Sequence, residues 1–151
     1  MLRQAFGERL KQAMKAKDSR TTSTVRMILA GLKERDVAAR GQGATEGISE
    51  DEVRRMLQAM IKQRRESISL YEKGNRADLA RQEREEIGII ESFLPRQLDE
   101  SEIEAAAKAA IAETGAAKIS DAGKVMGVLR ERHTGAIDLG RAGAVVRRLL
   151  G

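Results

Sequence analysis

The apolar positions of the first forty residues recur every three to four positions, which is the spacing of a helix with one buried face. A first helix is predicted over residues 2–16, with an apolar face formed by Leu2, Phe6, Leu10, Ala13 and Met14. Asp18 and Ser19 are suitable cap residues for a second helix that runs to about Arg40. The apolar face of this second helix comprises Val25, Ile28, Leu29, Leu32 and Val37.

The segment Gly41–Ile48 contains three glycines and interrupts the pattern, so we expect a mobile connection there. Ser49 and Glu52 have the spacing of a capping box, in which two side chains satisfy backbone donors, and a long helix should begin at this point. Its apolar positions are Val53, Met56, Leu57, Met60, Ile61, Ile68 and Tyr71. Gly74 suits a left-handed helix end and Asn75 can cap a second arm over residues 76–94, which predicts an αα-hairpin.

Pro95 is the one proline of the chain, and it ends this arm because its ring cannot continue a helix. We therefore place a domain boundary there and predict domains over residues 1–95 and 96–151. In the second domain, Asp99 and Glu102 predict a helix start, and that helix should end near Gly115. Ser120 or Asp121 should begin a short helix, and Asp138 the last one. The predicted fold is all-α: an amino-terminal helical domain with a long αα-hairpin, followed by a small three-helix domain.

The composition excludes several classes of protein. The chain has no cysteine, which excludes disulfides, thiolate metal sites and cysteine nucleophiles, and a reducing, cytoplasmic location is expected. No stretch approaches the roughly 18 to 20 apolar residues that span a bilayer, so no membrane partner is expected. The amphipathic, arginine-bearing start is similar to a mitochondrial presequence, but Glu8 and the scarcity of serine argue against one.

The net charge of +5 permits a polyanionic partner, and the distribution of the charges is more informative. Residues 1–40 carry ten Lys and Arg against four Asp and Glu, whereas residues 41–95 carry nine against eleven. The last two predicted helices are basic again, and we predict that their cations bind nucleic acid: Lys124, Arg130, Arg132, Arg141, Arg147 and Arg148.

Glycines accompany these cations. Gly123 and Gly127 are four residues apart and should lie on one side of a helix, leaving a groove into which another backbone can come close. Such a groove is usually filled by a neighbouring helix of the same protein. The nearby cations favour a nucleic acid as an alternative occupant.

No catalytic constellation is visible, and neither a cofactor nor a metal site is predicted, although carboxylates alone leave Mg²⁺ binding open. His133 is the one histidine, and a polar residue near a helix end is its simpler interpretation. Glu83, Glu85 and Glu86 alternate with arginines, so ion pairing explains them, with Arg64 or Arg65 among the partners. Gly41-Gln42-Gly43 has neither the strand nor the Gly-Lys-Ser/Thr sequence of a phosphate-binding loop.

Several local sequences together resemble the GatB/YqeY family. The carboxy-terminal part is similar to the tail domain of GatB, an amidotransferase subunit. The similarity lies in three successive patterns: Gly-Lys-Val-Met-Gly-Val-Leu, then Gly-x-x-Asp, then Val-Val-Arg-Arg-Leu-Leu. The motif residues are Gly123, Met126, Gly127, Gly135 and Asp138. The upstream sequences resemble the free-standing YqeY branch over Lys15–Asp18, Thr24–Met27, Met60–Ser67, Tyr71–Lys73, Arg76–Leu79, Glu83, Glu86 and Phe93–Leu98.

The resemblance implies a tail-like domain that contacts tRNA, and a family label of carbon-nitrogen ligase activity with glutamine as amido-nitrogen donor. It also implies an amidotransferase or aminoacyl-tRNA synthetase complex as a partner. The catalytic cradle domain of GatB is not part of this pattern, so the expected function is a tRNA-associated binding module without its own active site. Ala136 and Gly143 depart from the family pattern, which has a cation and Asn near these positions. A helical adaptor that binds proteins and not RNA is the alternative.

Overall fold

The computed structural model describes residues 1–151 and is all-α, in agreement with the predicted fold class. Its seven α-helices and one short 3-10 turn are α1 (Leu2–Lys15), α2 (Ser19–Gly41), α3 (Glu50–Lys73), α4 (Ala77–Glu91), α5 (Glu100–Thr114), the 3-10 turn Ile119–Asp121, α6 (Ala122–Arg132) and α7 (Leu139–Leu150). The chain divides into two compact units, Met1–Leu94 and Pro95–Gly151, which we call unit 1 and unit 2. None of the helices combines the length and the apolarity that a bilayer-spanning segment requires.

Unit 1 packs α1 against α2 and pairs α3 with α4 as the predicted hairpin. Its buried core contains apolar side chains of all four helices, among them Phe6, Val25, Ile28, Val53, Met56, Leu57 and Ile90. The rings of Phe6 and Phe93 meet edge to face, with centroids 4.9 Å apart, and this contact joins α1 to the residues after α4. Two predicted core positions are wrong, because Met14 is 52% exposed and Val37 is 58% exposed. Each directly follows a buried residue, Ala13 or Asp36, and is therefore turned about 100° away from the buried face of its helix.

The helix ends of unit 1 follow the predicted caps in part. The Asp18 carboxylate accepts a hydrogen bond from the Thr21 amide at 3.1 Å, and the Ser49 hydroxyl oxygen accepts one from the Glu52 amide at 3.2 Å. At the hairpin turn the prediction is wrong: Gly74 has φ −88°, and Asn75 takes the left-handed conformation, with φ +56°. Asn75 therefore makes the turn itself and does not cap α4, because Asn tolerates this conformation better than most residues.

The segment Gly41–Ile48 is anchored, which corrects the expectation of a mobile connection. The buried Asp36 carboxylate accepts two hydrogen bonds from the Arg3 guanidinium, at 2.6 and 2.8 Å, and one from the Ile48 amide at 2.9 Å. Arg3 also donates to the Ile48 carbonyl at 2.8 Å. The Arg3 guanidinium and the Ile48 amide lower the pKa of Asp36 to about 2. One charged pair thus fixes both α1 and the end of the connecting segment to α2.

Unit 2 is a three-helix domain around a core of small and aliphatic side chains, among them Ile103, Ala107, Val125, Leu129, Ile137 and Val146. The predicted capping box is complete, because the Asp99 carboxylate accepts from the Glu102 amide at 2.8 Å and Glu102 accepts from the Asp99 amide at 3.3 Å. Asp121 does not cap α6 as expected. Its carboxylate accepts from the amides of Ala117 and Lys118, so it organises the preceding turn.

Candidate nucleic-acid interface

The two glycines of α6 lie on its exposed face. A Cβ atom added at Gly123 or at Gly127 would meet no neighbouring atom within 4 Å. Val125 and Leu129 form the opposite, buried face of the same helix, and the motif residue Met126 packs partly against the core of unit 2. Close packing within unit 2 therefore does not explain either glycine.

Two cations flank these glycines. Lys124 follows Gly123 directly, and Arg130 lies three residues after Gly127, so both fall beside the glycine face of α6 at 100° per residue. Both side chains are exposed, and neither has a carboxylate within ion-pair distance. We call the set Gly123, Lys124, Gly127 and Arg130 the glycine strip. The exposed Glu131 lies one turn after Gly127 on the same face, so the cations exceed the carboxylates there by one charge, and a ligand can approach the helix backbone at the two glycines.

The structure does not bring all six predicted cations onto one surface. Arg132 forms an ion pair with Glu113 at 2.6 Å, and Arg148 lies 3.8 Å from Glu104. Glu104 and Glu113 are separated by nine residues of α5, or about 13 Å along the helix axis. Arg132 and Arg148 are therefore partly neutralised and held at separate places. No local pattern indicates these pairings, because the partners lie on another helix and are distant in sequence.

The remaining two cations are on α7. Arg141 lies in its first turn, and Arg147 in its last turn, where its guanidinium would be 3.4 Å from a Cβ at the buried Gly143. Both are exposed and have no carboxylate within ion-pair distance. Asp138 caps α7, as its carboxylate accepts from the amides of Gly140 and Arg141 at 2.9 and 3.2 Å. This distance is ordinary van der Waals contact with a flexible side chain, so it does not require a glycine at position 143.

The turn between α6 and α7 is fixed by backbone contacts. Gly135 takes a left-handed conformation with φ +75°, which explains a glycine at this motif position. Its carbonyl accepts from the Gln97 side chain at 2.6 Å, and the Ala136 carbonyl accepts from the Leu98 amide at 2.8 Å. These bonds hold the turn against the segment that precedes α5. They set where α7 begins, and with it the position of Arg141.

The carboxylate cluster of α4 lies in ion pairs, as the alternation of charge predicted. Arg64 and Glu86 are both buried, with Nε 3.0 Å from Oε2, and Glu83 lies 3.9 Å from the same nitrogen. Burial raises the pKa of Glu83. Arg20 of α2 approaches Glu85 at 3.3 Å and Glu86 at 3.8 Å. The cluster therefore joins three helices of unit 1. His133 lies directly after the last residue of α6, at the helix end where the sequence placed it.

Comparison with known proteins identifies one family over nearly the whole chain. The family described as "Yqey-like protein" matches residues 3–150. Proteins named "Altered inheritance of mitochondria protein 41, mitochondrial" are similar as well. The one from Lachancea thermotolerans is 37% identical over 99 residues, which are 66% of this chain and 51% of that protein. For the one from Vanderwaltozyma polyspora the identity is 36% over 85 residues, 56% of this chain and 44% of that protein.

The matching protein of Saccharomyces cerevisiae is 32% identical over 95 residues, 63% of this chain and 49% of that protein. The chain thus spans about half the length of the curated relatives that it matches. Their names contradict the predicted cytoplasmic location, because these relatives are mitochondrial proteins. That prediction was wrong because the absence of cysteine excludes disulfides but does not distinguish between compartments that lack them.

Proposed function

The chain belongs to the YqeY-like family, and we propose that it is a tRNA-associated binding module whose unit 2 contacts RNA through the glycine strip and the free cations of α7. The proposal keeps four of the six cations predicted from the sequence, namely Lys124, Arg130, Arg141 and Arg147. Arg132 and Arg148 become secondary, because each has a carboxylate of α5 beside it.

The observation that carries the proposal is the combination of two exposed glycines one turn apart, Gly123 and Gly127, with the cations Lys124 and Arg130 beside them. The solitary exposed helical glycine Gly88 lacks this combination. A glycine inside a helix destabilises the fold by about 0.5 to 1 kcal/mol relative to alanine, because the unfolded chain gains backbone freedom. Close packing against a neighbour commonly offsets this loss, but neither glycine has such a neighbour. A ligand that approaches the bare backbone of α6 would account for both residues, since any larger side chain would hold that ligand away.

The charge of the strip favours an anionic ligand. Neither Lys124 nor Arg130 forms an ion pair, so an RNA phosphate could bind to them without breaking one. The charge of Lys124 acts on the carboxylate of Asp121, whose pKa is lowered by the amides of Ala117 and Lys118 and by this charge. Contacts of this kind position a nucleic acid without reading its sequence, and they weaken as salt rises. The similarity of unit 2 to the GatB tail supports tRNA as the RNA, and an amidotransferase or synthetase complex as the setting. In this proposal glutamine-dependent ligase chemistry belongs to such a partner.

The experiment is tRNA binding by the purified chain at two salt concentrations, measured by a filter or mobility-shift assay. We expect binding at low salt that weakens as salt is raised, and a shallower salt dependence for Lys124→Gln and Arg130→Gln, by about 0.7 to 0.9 in the log–log slope for each phosphate contact removed. Arg132→Gln is the matched control, because its guanidinium is already paired with Glu113. Absence of binding at low salt, or an affinity indifferent to salt, would reject the proposal.

A protein-binding adaptor is the second candidate, because a bare glycine face on a helix also admits the backbone of a partner helix. A pull-down from nuclease-treated lysate separates the two functions. An adaptor keeps its partner after nuclease treatment and releases it on Gly127→Leu substitution. A tRNA-associated module loses any partner that is held through RNA.

A further inference from the structure

Unit 1 has a cleft of about 420 Å³ beside the turn that joins α1 to α2. It is lined by Met14, Lys17, Ser19, Thr22, Ser23 and Arg26. The four lining residues of α2 are spaced by three or four positions and so share one face of the helix. Lys17 and Met14 face them from the end of α1 and the turn. The volume is within the range of sites that hold small molecules, about 300 to 1,000 Å³.

The cations of this cleft have no carboxylate partner. Neither Lys17 nor Arg26 has a carboxylate within ion-pair distance, and both are exposed. The nearest acid in sequence, Asp18, is engaged elsewhere: its two carboxylate oxygens accept from the Thr21 amide at 3.1 Å and from the Thr21 hydroxyl at 2.7 Å. These hydrogen bonds from Thr21, together with the positive charge of Arg9, lower the pKa of the Asp18 carboxyl. Asp18 keeps its negative charge, but the two cations outnumber it, so the cleft carries a small net positive charge.

The hydroxyl groups and Met14 define what kind of anion fits. The hydroxyls of Thr22 and Ser23 donate to the carbonyls of Asp18 and Arg20, at 2.8 and 3.1 Å, whereas the Ser19 hydroxyl is not hydrogen-bonded within the protein. The Arg26 guanidinium lies 4.0 Å from the sulfur of Met14, whose side chain is 52% exposed. The cleft thus offers cationic and hydroxyl donors from both α2 and the turn, and beside Arg26 it offers the thioether of Met14, which suits contact with a ring.

We propose that this cleft binds a phosphorylated small molecule of nucleotide size, with Lys17, Arg26 and Ser19 holding the phosphate and Met14 contacting the ring. A phosphate accepts several charge-assisted hydrogen bonds at once, which matches two unpaired cations and a free hydroxyl. The site lies in unit 1 and uses none of the residues proposed to contact tRNA. Ligand binding at this site can therefore be tested separately from the function proposed for unit 2.

The test is titration of the full chain with adenosine monophosphate, adenosine and inorganic phosphate at constant ionic strength, followed by backbone amide NMR. We expect saturable shifts confined to residues 14–26 with adenosine monophosphate, and affinities at least about tenfold weaker for adenosine, which lacks the phosphate. Inorganic phosphate should shift the amides of Lys17 and Ser19 but leave the methyl resonance of the Met14 side chain unchanged. Lys17→Asn and Arg26→Gln should each weaken binding of adenosine monophosphate about tenfold.

Lys17 has φ +55°, a conformation that Asn adopts readily, so Lys17→Asn removes the charge without a cost to folding. Lys33→Gln is the matched control, since Lys33 is an exposed cation of α2 that does not line the cleft. Shifts spread over all basic surfaces, or equal losses in the control, would overturn the proposal. So would a failure of adenosine monophosphate to bind at millimolar concentration. If Lys17→Asn and Arg26→Gln weaken the binding of an RNA oligomer but not that of adenosine monophosphate, the cleft is a nucleic-acid contact and the proposal is rejected.

Discussion

Arg64 and Glu86 form a buried ion pair that joins α3 to α4, with Nε 3.0 Å from Oε2 and each residue less than 8% exposed. Arg64 also donates to the Met60 carbonyl at 3.2 Å and contacts the sulfur of Met27, so its charge is surrounded by partners. A buried charge that loses its partner is costly, whereas replacing both members by apolar residues is often nearly neutral.

Removing one member of this pair should therefore destabilise unit 1 more than removing both. We expect Glu86→Leu to lower the free energy of unfolding by about 3 kcal/mol, because Arg64 is left buried with only the more distant Glu83. Arg64→Leu combined with Glu86→Leu should cost less than the single change. Urea denaturation followed by circular dichroism measures both. A double variant as unstable as the sum of its single changes would contradict the account.

Asp36 should make stability depend on pH in the acid range. Its pKa is lowered from 3.8 to about 2 by Arg3 and the Ile48 amide. A carboxylate with a lowered folded-state pKa stabilises the fold above its unfolded pKa, and this contribution disappears as pH falls through the folded value. The contribution is about 2 kcal/mol at neutral pH and should be lost between about pH 4 and pH 2.

The measurement compares the wild-type chain with Asp36→Asn by urea denaturation from pH 6 to pH 2. The stability difference between them should shrink across this window, because protonated Asp36 resembles Asn. Glu34→Gln is a control, since Glu34 is an exposed carboxylate of the same helix. A difference that stays constant down to pH 2 would show that the Asp36 charge does not contribute.

Gly47 should tolerate substitution less well than Gly43. Both have positive φ values, +86° and +98°, so alanine is strained at either position. At Gly47 a Cβ atom would also lie 2.3 Å from the Asp36 carboxylate oxygen, whereas at Gly43 it would meet nothing within 4 Å. We expect Gly43→Ala to cost about 1 kcal/mol and Gly47→Ala at least twice that, since it also displaces the Arg3–Asp36 pair. Equal losses in thermal or urea unfolding would mean that the contact at Gly47 is unimportant.

The sequence predicted those parts of the fold that depend on neighbours along the chain. The Asp99–Glu102 capping box and the caps at Asp18 and Asp138 need only a few consecutive residues, and they were predicted at the right positions. At the hairpin turn, Gly74 and Asn75 compete for the one left-handed position, and the local sequence does not decide between them. The anchoring of Gly41–Ile48 depends on Arg3 and Asp36, which are far apart in sequence, so no local pattern indicates it.

The sequence predicted only part of the candidate interface. The helix positions of Gly123, Gly127 and the cations follow from periodicity. Whether a glycine face meets another helix depends on how α5 and α7 pack on α6, which the sequence does not state. The neutralisation of Arg132 and Arg148 likewise depends on Glu113 and Glu104, which are distant in sequence and come near only in the folded domain.

A Gly127→Leu substitution shows whether the bare face of α6 is kept open for a ligand. Leucine is the better helix former by about 0.6 kcal/mol and meets no atom of the protein at this exposed position, so stability should be unchanged or slightly raised. Gly88→Leu is the matched control, because Gly88 is also an exposed helical glycine with nothing within 4 Å. We predict that tRNA affinity at low salt falls at least about tenfold for Gly127→Leu and stays at the wild-type value for Gly88→Leu. A Gly127→Leu variant that folds normally and binds tRNA as well as the wild-type chain would contradict the account.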